Sequence, residues 1–502
     1  MKPDHLPLNP MLIISHMGSV STPCAPKDAG LAHSKDAEIT SLTDKCRYTG
    51  AEIAASTRRG CRWIVVDSQV YDVSPLFAPG MHPGGSDVLS SVIGGDATDP
   101  FYNSHPEKGR KAMLAPYHIG TQSDWSVTAP TAAYRALRAE LEASGELMAG
   151  GSFSYYGATT ARVAAAAAVA LGCVIGTTSA SAHFLGAAAL GVFWQQLAFV
   201  GHDLGHNGIS GVRVTDMARG VICGPALTGI SFSWWKSTHN AHHVATNSAE
   251  SDPDVQHMPL LAVSSHFFES LWSTFHRKRM SFGACSRATV ARQHLFFYPL
   301  MFFARWNLYF QGVARLALGE RSLSASLEAA ALLFFFSWMS LLVAAVGRGE
   351  ETYAAAFAAR IVYLLICNGV AGILHVQISV SHFSQPTIKT RATDEGVSFL
   401  QSQLAGTLNI ILPPGSDFFF GGLQFQIEHH LFPRLPAEAL RALQPRIKAL
   451  AEAHNLSYNE ATFSAANTKL YESLKSTAKA ALTHGGNVQL SPIVLDALNM
   501  QG

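Results

Sequence analysis

Charge is scarce in this chain. Asp, Glu, Lys and Arg make up 14% of its 502 residues and cancel to a net charge of +1, against roughly 25% charged residues in a typical soluble domain. A chain so near neutrality has no basic excess to hold phosphates, so nucleic acid is not an expected partner. Mean hydropathy is positive, at +0.15, which points to a membrane protein with soluble parts. The seven cysteines, at 24, 46, 61, 173, 223, 285 and 367, form no CxxC or CxxCH. That spacing excludes covalent haem attachment and a disulfide framework, and reduced thiols are expected. A secretory signal is also missing, since Met11 to Ser15 is a very short apolar run with no cleavage region behind it.

What is present falls into five segments. Residues 1–55 read as a disordered leader. Residues 56–125 read as a small soluble domain, in which Trp63-Ile-Val-Val66 and Val70-Tyr-Asp-Val73 flank a turn and Gly- and Pro-rich loops follow. A charged helical linker covers 126–160, centred on Tyr134 to Leu147. Residues 161–465 are membrane-like, with apolar runs at 163–179, 184–200, 327–346 and 354–380, each near the roughly 20 residues that span a bilayer. Less apolar pieces at 221–235 and 296–310 suit the headgroup region. Residues 466–502 read as a C-terminal tail.

Three histidine clusters lie between and after the spans: His202-Asp-Leu-Gly-His206, His239-Asn-Ala-His242-His243 and Gln426-Ile-Glu-His429-His430. Their offsets of i, i+3 and i+4 stack side chains on one helix face. Two hairpins of two spans each would bring all three clusters to one side of the membrane. Eleven Lys and Arg in 201–326, with almost none in the connecting loops, favour the cytosolic side. Seven histidines exceed what one tetrahedral zinc takes, and His382 at the end of the fourth span is a candidate eighth. The set suits two metal ions with an open face for O2. Imidazole alone does not choose among Fe, Zn, Cu and Ni. Gln426 occupies a ligand position, where an amide would be a weak donor or an orienting group.

A second motif, His82-Pro-Gly-Gly85, sits in a loop of the soluble domain, with His105 23 residues on. Two histidines from opposite walls of a small domain make iron six-coordinate, suited to electron transfer and closed to O2. A one-electron donor in the same chain favours iron over redox-inert zinc in the clusters.

With both motif sets in view, the chain resembles front-end lipid desaturases carrying a fused N-terminal cytochrome b5 domain, in the plant-type branch of sphingolipid delta-8 and acyl-lipid delta-6 desaturases. The likeness rests on the HPGG loop, the QIEHH third box, the flanks Gly229-Ile-Ser-Phe-Ser-Trp-Trp-Lys236 and Asp252-Pro-Asp-Val-Gln-His-Met-Pro259, and Leu431-Phe-Pro-Arg434. The ending Pro492-Ile-Val-Leu-Asp-Ala-Leu-Asn499 is more similar to the sphingolipid members. Box one ends in a single His before Asn207, and Ser381 stands where relatives often carry Asn; neither removes a box histidine.

The resemblance implies a membrane all-α desaturase domain of four transmembrane helices plus interfacial helices, with a cytosolic histidine-box di-iron cap behind an N-terminal α+β haem domain. It implies haem b on His82 and His105. It places two non-haem irons on His202, His206, His239, His242, His243, His429 and His430, with His382 added. It also implies O2 as co-substrate, a long-chain lipid substrate, an NAD(P)H-dependent cytochrome b5 reductase as partner, and residence in the endoplasmic reticulum membrane. A sphingolipid long-chain-base delta-8 desaturase is the expected function, and an acyl-lipid front-end desaturase the alternative. More distant alternatives are a di-iron lipid hydroxylase and a membrane-tethered haem electron carrier without enzyme activity.

Overall fold

The computed structural model describes residues 46–484, apart from Lys108, 319–322 and Pro414. The motif at 492–499 and most of the leader lie outside the described residues.

A four-stranded sheet of order β1-β4-β3-β2 organises the N-terminal domain, with β1 Arg47–Tyr48, β2 Trp63–Val66, β3 Gln69–Asp72 and β4 His118–Gln122. The β2–β3 hairpin closes through Asp67 and Ser68, both at positive φ (50° and 67°), the twist that a two-residue hairpin loop requires. Four short helices complete the domain: α1 Gly50–Arg58, α2 Ser86–Ser90, α3 Thr98–Ser104 and α4 Arg110–Leu114.

The domain begins before residue 56. Arg47 and Tyr48 pair with Thr121 and Gln122 of β4, and Thr49 caps α1 in a reciprocal box with Glu52. A two-residue strand carries no periodicity, and α1 buries only Ile53 and Ser56, so this segment reads as leader in the sequence. Cys61, expected as a free thiol, is disulfide-bonded. A lone cysteine has no spacing signal by which such a pairing could be read.

Helix α5, Ala129–Ala143, occupies the expected linker but is not a free spacer. Tyr134 is fully buried and its hydroxyl donates to the Leu431 carbonyl at 2.7 Å, while Arg135 pairs with Asp99 at 2.9 Å. The linker is therefore a clamp between the two domains.

Among the described residues, four helices are long and apolar enough to cross a bilayer: α6 Phe153–Ile175, α7 Ala180–Gly205, α12 Leu323–Ala345, and α13 Tyr353–Ala371 continued by α14 Ile373–His382. At 1.5 Å per residue α6 spans about 35 Å, enough for the roughly 30 Å hydrocarbon core. It starts at Phe153, inside the segment expected as linker, because Ser152 caps it there. Leu333 and Leu341 of α12 are 69% and 74% exposed, a surface suited to lipid.

Between the two pairs run α8 Arg213–Val221, α9 Phe232–Ala245, α10 Ala284–Val290 and α11 Gln293–Leu318. Phe303, Phe310 and Val313 leave one apolar side of α11 open, consistent with a helix at the lipid surface. After α14 come α15 Phe399–Gly406, α16 Gln426–Leu431, α17 Ala437–Ala453 and α18 Phe463–Thr483. Helix α18 fills most of the described part of the expected tail. Its Ala466, Leu470, Leu474, Ala478 and Ala481 form a buried stripe, and Gln293 donates to the Leu474 carbonyl at 3.0 Å. The tail segment thus belongs to the core of the desaturase-type domain.

Candidate functional site

The ends of four helices bring the histidines together. His202 lies in the last turn of α7 and His206 caps it. Gly205 between them is required by packing, since a Cβ there would meet the Trp235 ring at 2.0 Å. Box two occupies one face of α9, whose start is capped by Ser231 and tied to Glu328 of α12. Box three forms α16, a single turn made rigid by its neighbours. Asn409 accepts from the Ile427 amide at 2.9 Å and donates to Glu428 at 2.7 Å, and Tyr458 donates to the same carboxylate at 2.7 Å. His382 ends α14.

Eight histidines divide into two sets. Ligand atoms of His202, His206, His239, His243 and His429 lie within 4.8 Å of one another, and so do those of His242, His382 and His430. In the first set His239 Nε2 is 3.2 Å from His202 Nε2 and 3.0 Å from His243 Nε2, which is 3.0 Å from His429 Nε2. Two nitrogens each about 2.1 Å from a shared ion, at right angles, stand about 3 Å apart. The Nε2 atoms of His206 and His430 are buried without a hydrogen-bond partner. Buried polar atoms are normally satisfied, so these orphans fit metal ligands.

The outer nitrogens are held by the protein. His242 Nδ1 donates to Asp252 at 2.8 Å, His430 Nδ1 to the Gln403 side chain at 2.8 Å, and His382 Nδ1 to the Gly406 carbonyl at 3.2 Å. In the neutral ring, each bond fixes the tautomer that leaves Nε2 unprotonated towards the centre. Burial, reinforced by neighbouring imidazoles, holds His206, His239, His243, His429 and His430 well below the usual histidine range, so these rings are neutral. His242 differs. Burial opposes its charged form, but the carboxylates of Asp252 and Asp254 raise it to about 9. Gln403, Gly406 and Asp252 escaped the sequence reading, although Asp252 stands in a recognised flank.

At the haem motif the ring centres of His82 and His105 are 6.3 Å apart. An iron bonded to both imidazoles at about 2 Å on each side separates their centres by about 6 Å. The Nδ1 atoms donate to the Gly85 and Phe101 carbonyls, each at 2.9 Å, which turns both Nε2 atoms inward. Gly84 is needed because a Cβ would come within 2.9 Å of the His82 ring. Burial lowers both histidines, His105 to about 4.

Under the clusters lies a cavity of about 710 Å³. His202, His239, His242, His382 and Gln426 line one part of it, and residues such as Leu197, Ile230, Leu300, Phe303 and Leu374 line the rest. Gln426 faces this cavity, beside the histidines.

Residues 179–462 match the fatty acid desaturase family and residues 49–123 the cytochrome b5-like heme/steroid binding domain. The chain belongs to the fatty acid desaturase family. It is 36% identical to Delta(8)-fatty-acid desaturase 1 of Arabidopsis thaliana over 92% of this chain and 99% of that one. It is 37% identical to the acyl-lipid (9-3)-desaturase of Borago officinalis over 86% and 94%. The Delta 8-(E)-sphingolipid desaturase of Komagataella phaffii is 36% identical over 59% of this chain and 54% of its own length.

In this membrane oxidoreductase, a front-end lipid desaturase, the haem domain rests on the histidine face. Helix α2 packs against α9, and Arg277 pairs with Asp87 at 2.8 Å. From α3, Asn103 donates to the carbonyl of His430 at 3.5 Å. The helix that precedes His105 thus touches a residue of the histidine clusters directly.

Proposed function

We propose that this desaturase introduces a delta-8 double bond into the long-chain base of a sphingolipid. The observation that carries a desaturation centre is the gathering of eight histidines, in sets of five and three, over an apolar cavity. In this reading His202, His206, His239, His243 and His429 hold one iron, and His242, His382 and His430 the other. His82 and His105 hold haem b. Two irons bound there would supply the O2 chemistry that removes hydrogen from unactivated methylenes.

The chain's own residues do the rest. The apolar walls hold the alkyl tail extended and exclude water, so that the methylenes beside His202 and His242 determine where the double bond forms. Asp252, Gln403 and the Gly406 carbonyl keep the imidazoles oriented. Asn103 and Tyr134 dock the haem domain; with haem bound, it would supply electrons one at a time, and an NAD(P)H-dependent cytochrome b5 reductase would be their source. The cationic 201–326 segment supports a cytosolic orientation, in the endoplasmic reticulum membrane.

The sphingolipid substrate draws support from the Komagataella relative. The Borago relative favours a second reading, an acyl-lipid front-end desaturase. Expression in yeast, with long-chain bases and fatty acids analysed separately, tests the choice. New unsaturation at C8 of the long-chain bases is expected; new unsaturation in the fatty-acid pool alone would select the acyl-lipid reading.

A further inference from the structure

Charged side chains inside the apolar spans have evident structural work. Glu328 of α12 caps α9 through Ser231, and Arg360 of α13 donates to the Val346 and Ala344 carbonyls at 3.2 and 3.3 Å. Arg162 of α6 differs. Its Nη2 donates to the Thr159 hydroxyl at 2.8 Å, and its Nε is buried without a hydrogen-bond partner. No carboxylate among the described residues stands within 4.0 Å of its guanidinium. The acids around it are occupied. Asp203, across a small pocket, accepts from Tyr156 and from the Ala437 amide and meets His202 Nδ1 at 3.3 Å. Asp417, next to Phe418, is held by Arg441 through both oxygens, and Glu438 by the amide and hydroxyl of Ser152.

Arg162 lies about 13 Å along α6 from its start at Phe153. Its side chain runs back one turn to Thr159, towards the end of α6 that meets Asp203 and the histidine face. A cation at this depth in a bilayer is costly and marks a functional position. Beside it opens a second cavity, of about 230 Å³, between α7, α14 and the Phe418–Phe419 segment. Val192, Ile373, Phe418 and Phe419 at this cavity are exposed, on a surface that acyl chains would cover. It shares no lining residue with the cavity beneath the histidines: Leu197 and Leu374 line that one, Val192 and Ile373 this one. The Phe418–Phe419 segment is gripped from the protein side. Gln196 donates to the Phe418 carbonyl at 2.9 Å, and Gln195 and Gln377 to that of Phe419 at 2.9 and 2.7 Å. From the other side the Arg162 guanidinium stands 5.8 Å from the Phe418 ring.

An unpaired guanidinium above an apolar cavity that opens to the bilayer has the chemistry of one ligand in particular, a lipid with an anionic phosphate over acyl chains. We propose that this niche holds a membrane glycerophospholipid, with its phosphate on Arg162 and part of an acyl chain in the cavity between α7, α14 and Phe418–Phe419. Guanidinium and phosphate pair bidentately, and such charge-assisted bonds are about twice as strong as neutral ones. The lipid is a ligand and not the substrate, since its cavity is separate from the one beneath the histidines. It braces Phe418 and Phe419 against the three glutamines. Box three follows shortly, at Gln426, so the bound lipid stabilises the segment that leads into the histidine cluster.

The test uses the full-length protein in detergent, stripped of lipid and then given dioleoylphosphatidylcholine or dioleoylglycerol, which lacks the phosphate. Native mass spectrometry counts the lipid retained, and the thermal unfolding midpoint is read beside it. Phosphatidylcholine is expected to be retained and to raise the midpoint, and dioleoylglycerol to bind about tenfold more weakly. Arg162→Gln should weaken phosphatidylcholine binding about tenfold, and Arg162→Lys should weaken it less. Val192→Trp, which fills the cavity and keeps the arginine, should weaken both lipids. Leu300→Trp, in the cavity beneath the histidines, should leave retention as in the wild type. The proposal is overturned if Arg162→Gln and Val192→Trp both retain phosphatidylcholine like the wild type, or if dioleoylglycerol binds equally well. It is also overturned if Leu300→Trp displaces the phospholipid, which would place that lipid beneath the histidines instead.

Discussion

Asp252 accepts a 2.8 Å hydrogen bond from Nδ1 of His242 while remaining entirely buried itself. It also accepts from the backbone amides of Asn247, at 2.8 Å, and Asp254, at 2.9 Å. The carboxylate is therefore held in place before it holds the imidazole. Groups of this kind change metal affinity or activity by about 10–100-fold when removed. Asp252→Ala is expected to lower non-haem iron content and product formation by that order while the haem spectrum stays intact. Unchanged iron content would mean that Asp252 has no part in orienting His242.

Gly84→Ala tests the haem loop. The added Cβ would meet the His82 ring at 2.9 Å and turn it from the axis to His105. Absorbance of bound haem per chain should fall, while non-haem iron remains. A normal haem content in the variant would show that the ring tolerates the displacement.

Tyr134→Phe removes a hydroxyl that donates to the Leu431 carbonyl at 2.7 Å inside a fully buried site. Losing one such bond costs about 1 kcal/mol, and here it loosens the clamp between α5 and box three. Re-oxidation of the reduced haem on mixing with O2 and substrate should slow, with an unaltered haem spectrum. A stopped-flow trace identical to wild type would count against the clamp.

Leu300→Trp tests the cavity. It places bulk in the cavity that Phe303 and the histidines also line and leaves every histidine in place. Product yield should fall several-fold with both iron and haem retained. Loss of iron together with yield would point to global disruption instead.

Much of this site is legible in the chain because its parts are local. The offsets within His239–His243 and His429–His430 are a helix period, and the HPGG loop carries its own turn chemistry. Apolar runs locate the four spans, although the first begins at Phe153, ten residues before the run that marks it. What escapes reading is long-range. Asn103 meets His430 and Tyr134 meets Leu431 across about 300 residues, and no periodicity encodes such a contact. Gln403, which orients His430, stands in an ordinary helix 27 residues away and looks like any polar surface residue. Helix α18 was hidden for a different reason: its buried stripe uses Ala466, Ala478 and Ala481 beside two leucines, a pattern too weakly apolar to stand out from a solvated tail.

The central claim is that the eight histidines form a two-iron centre served by a haem in the same chain. The ratio of non-haem iron to haem in the purified full-length protein tests it most directly, measured beside the His243→Ala and His382→Ala variants. The account predicts about two non-haem irons per haem, with losses in both variants at unchanged haem. A ratio near zero, or a ratio unaffected by either substitution, would contradict it.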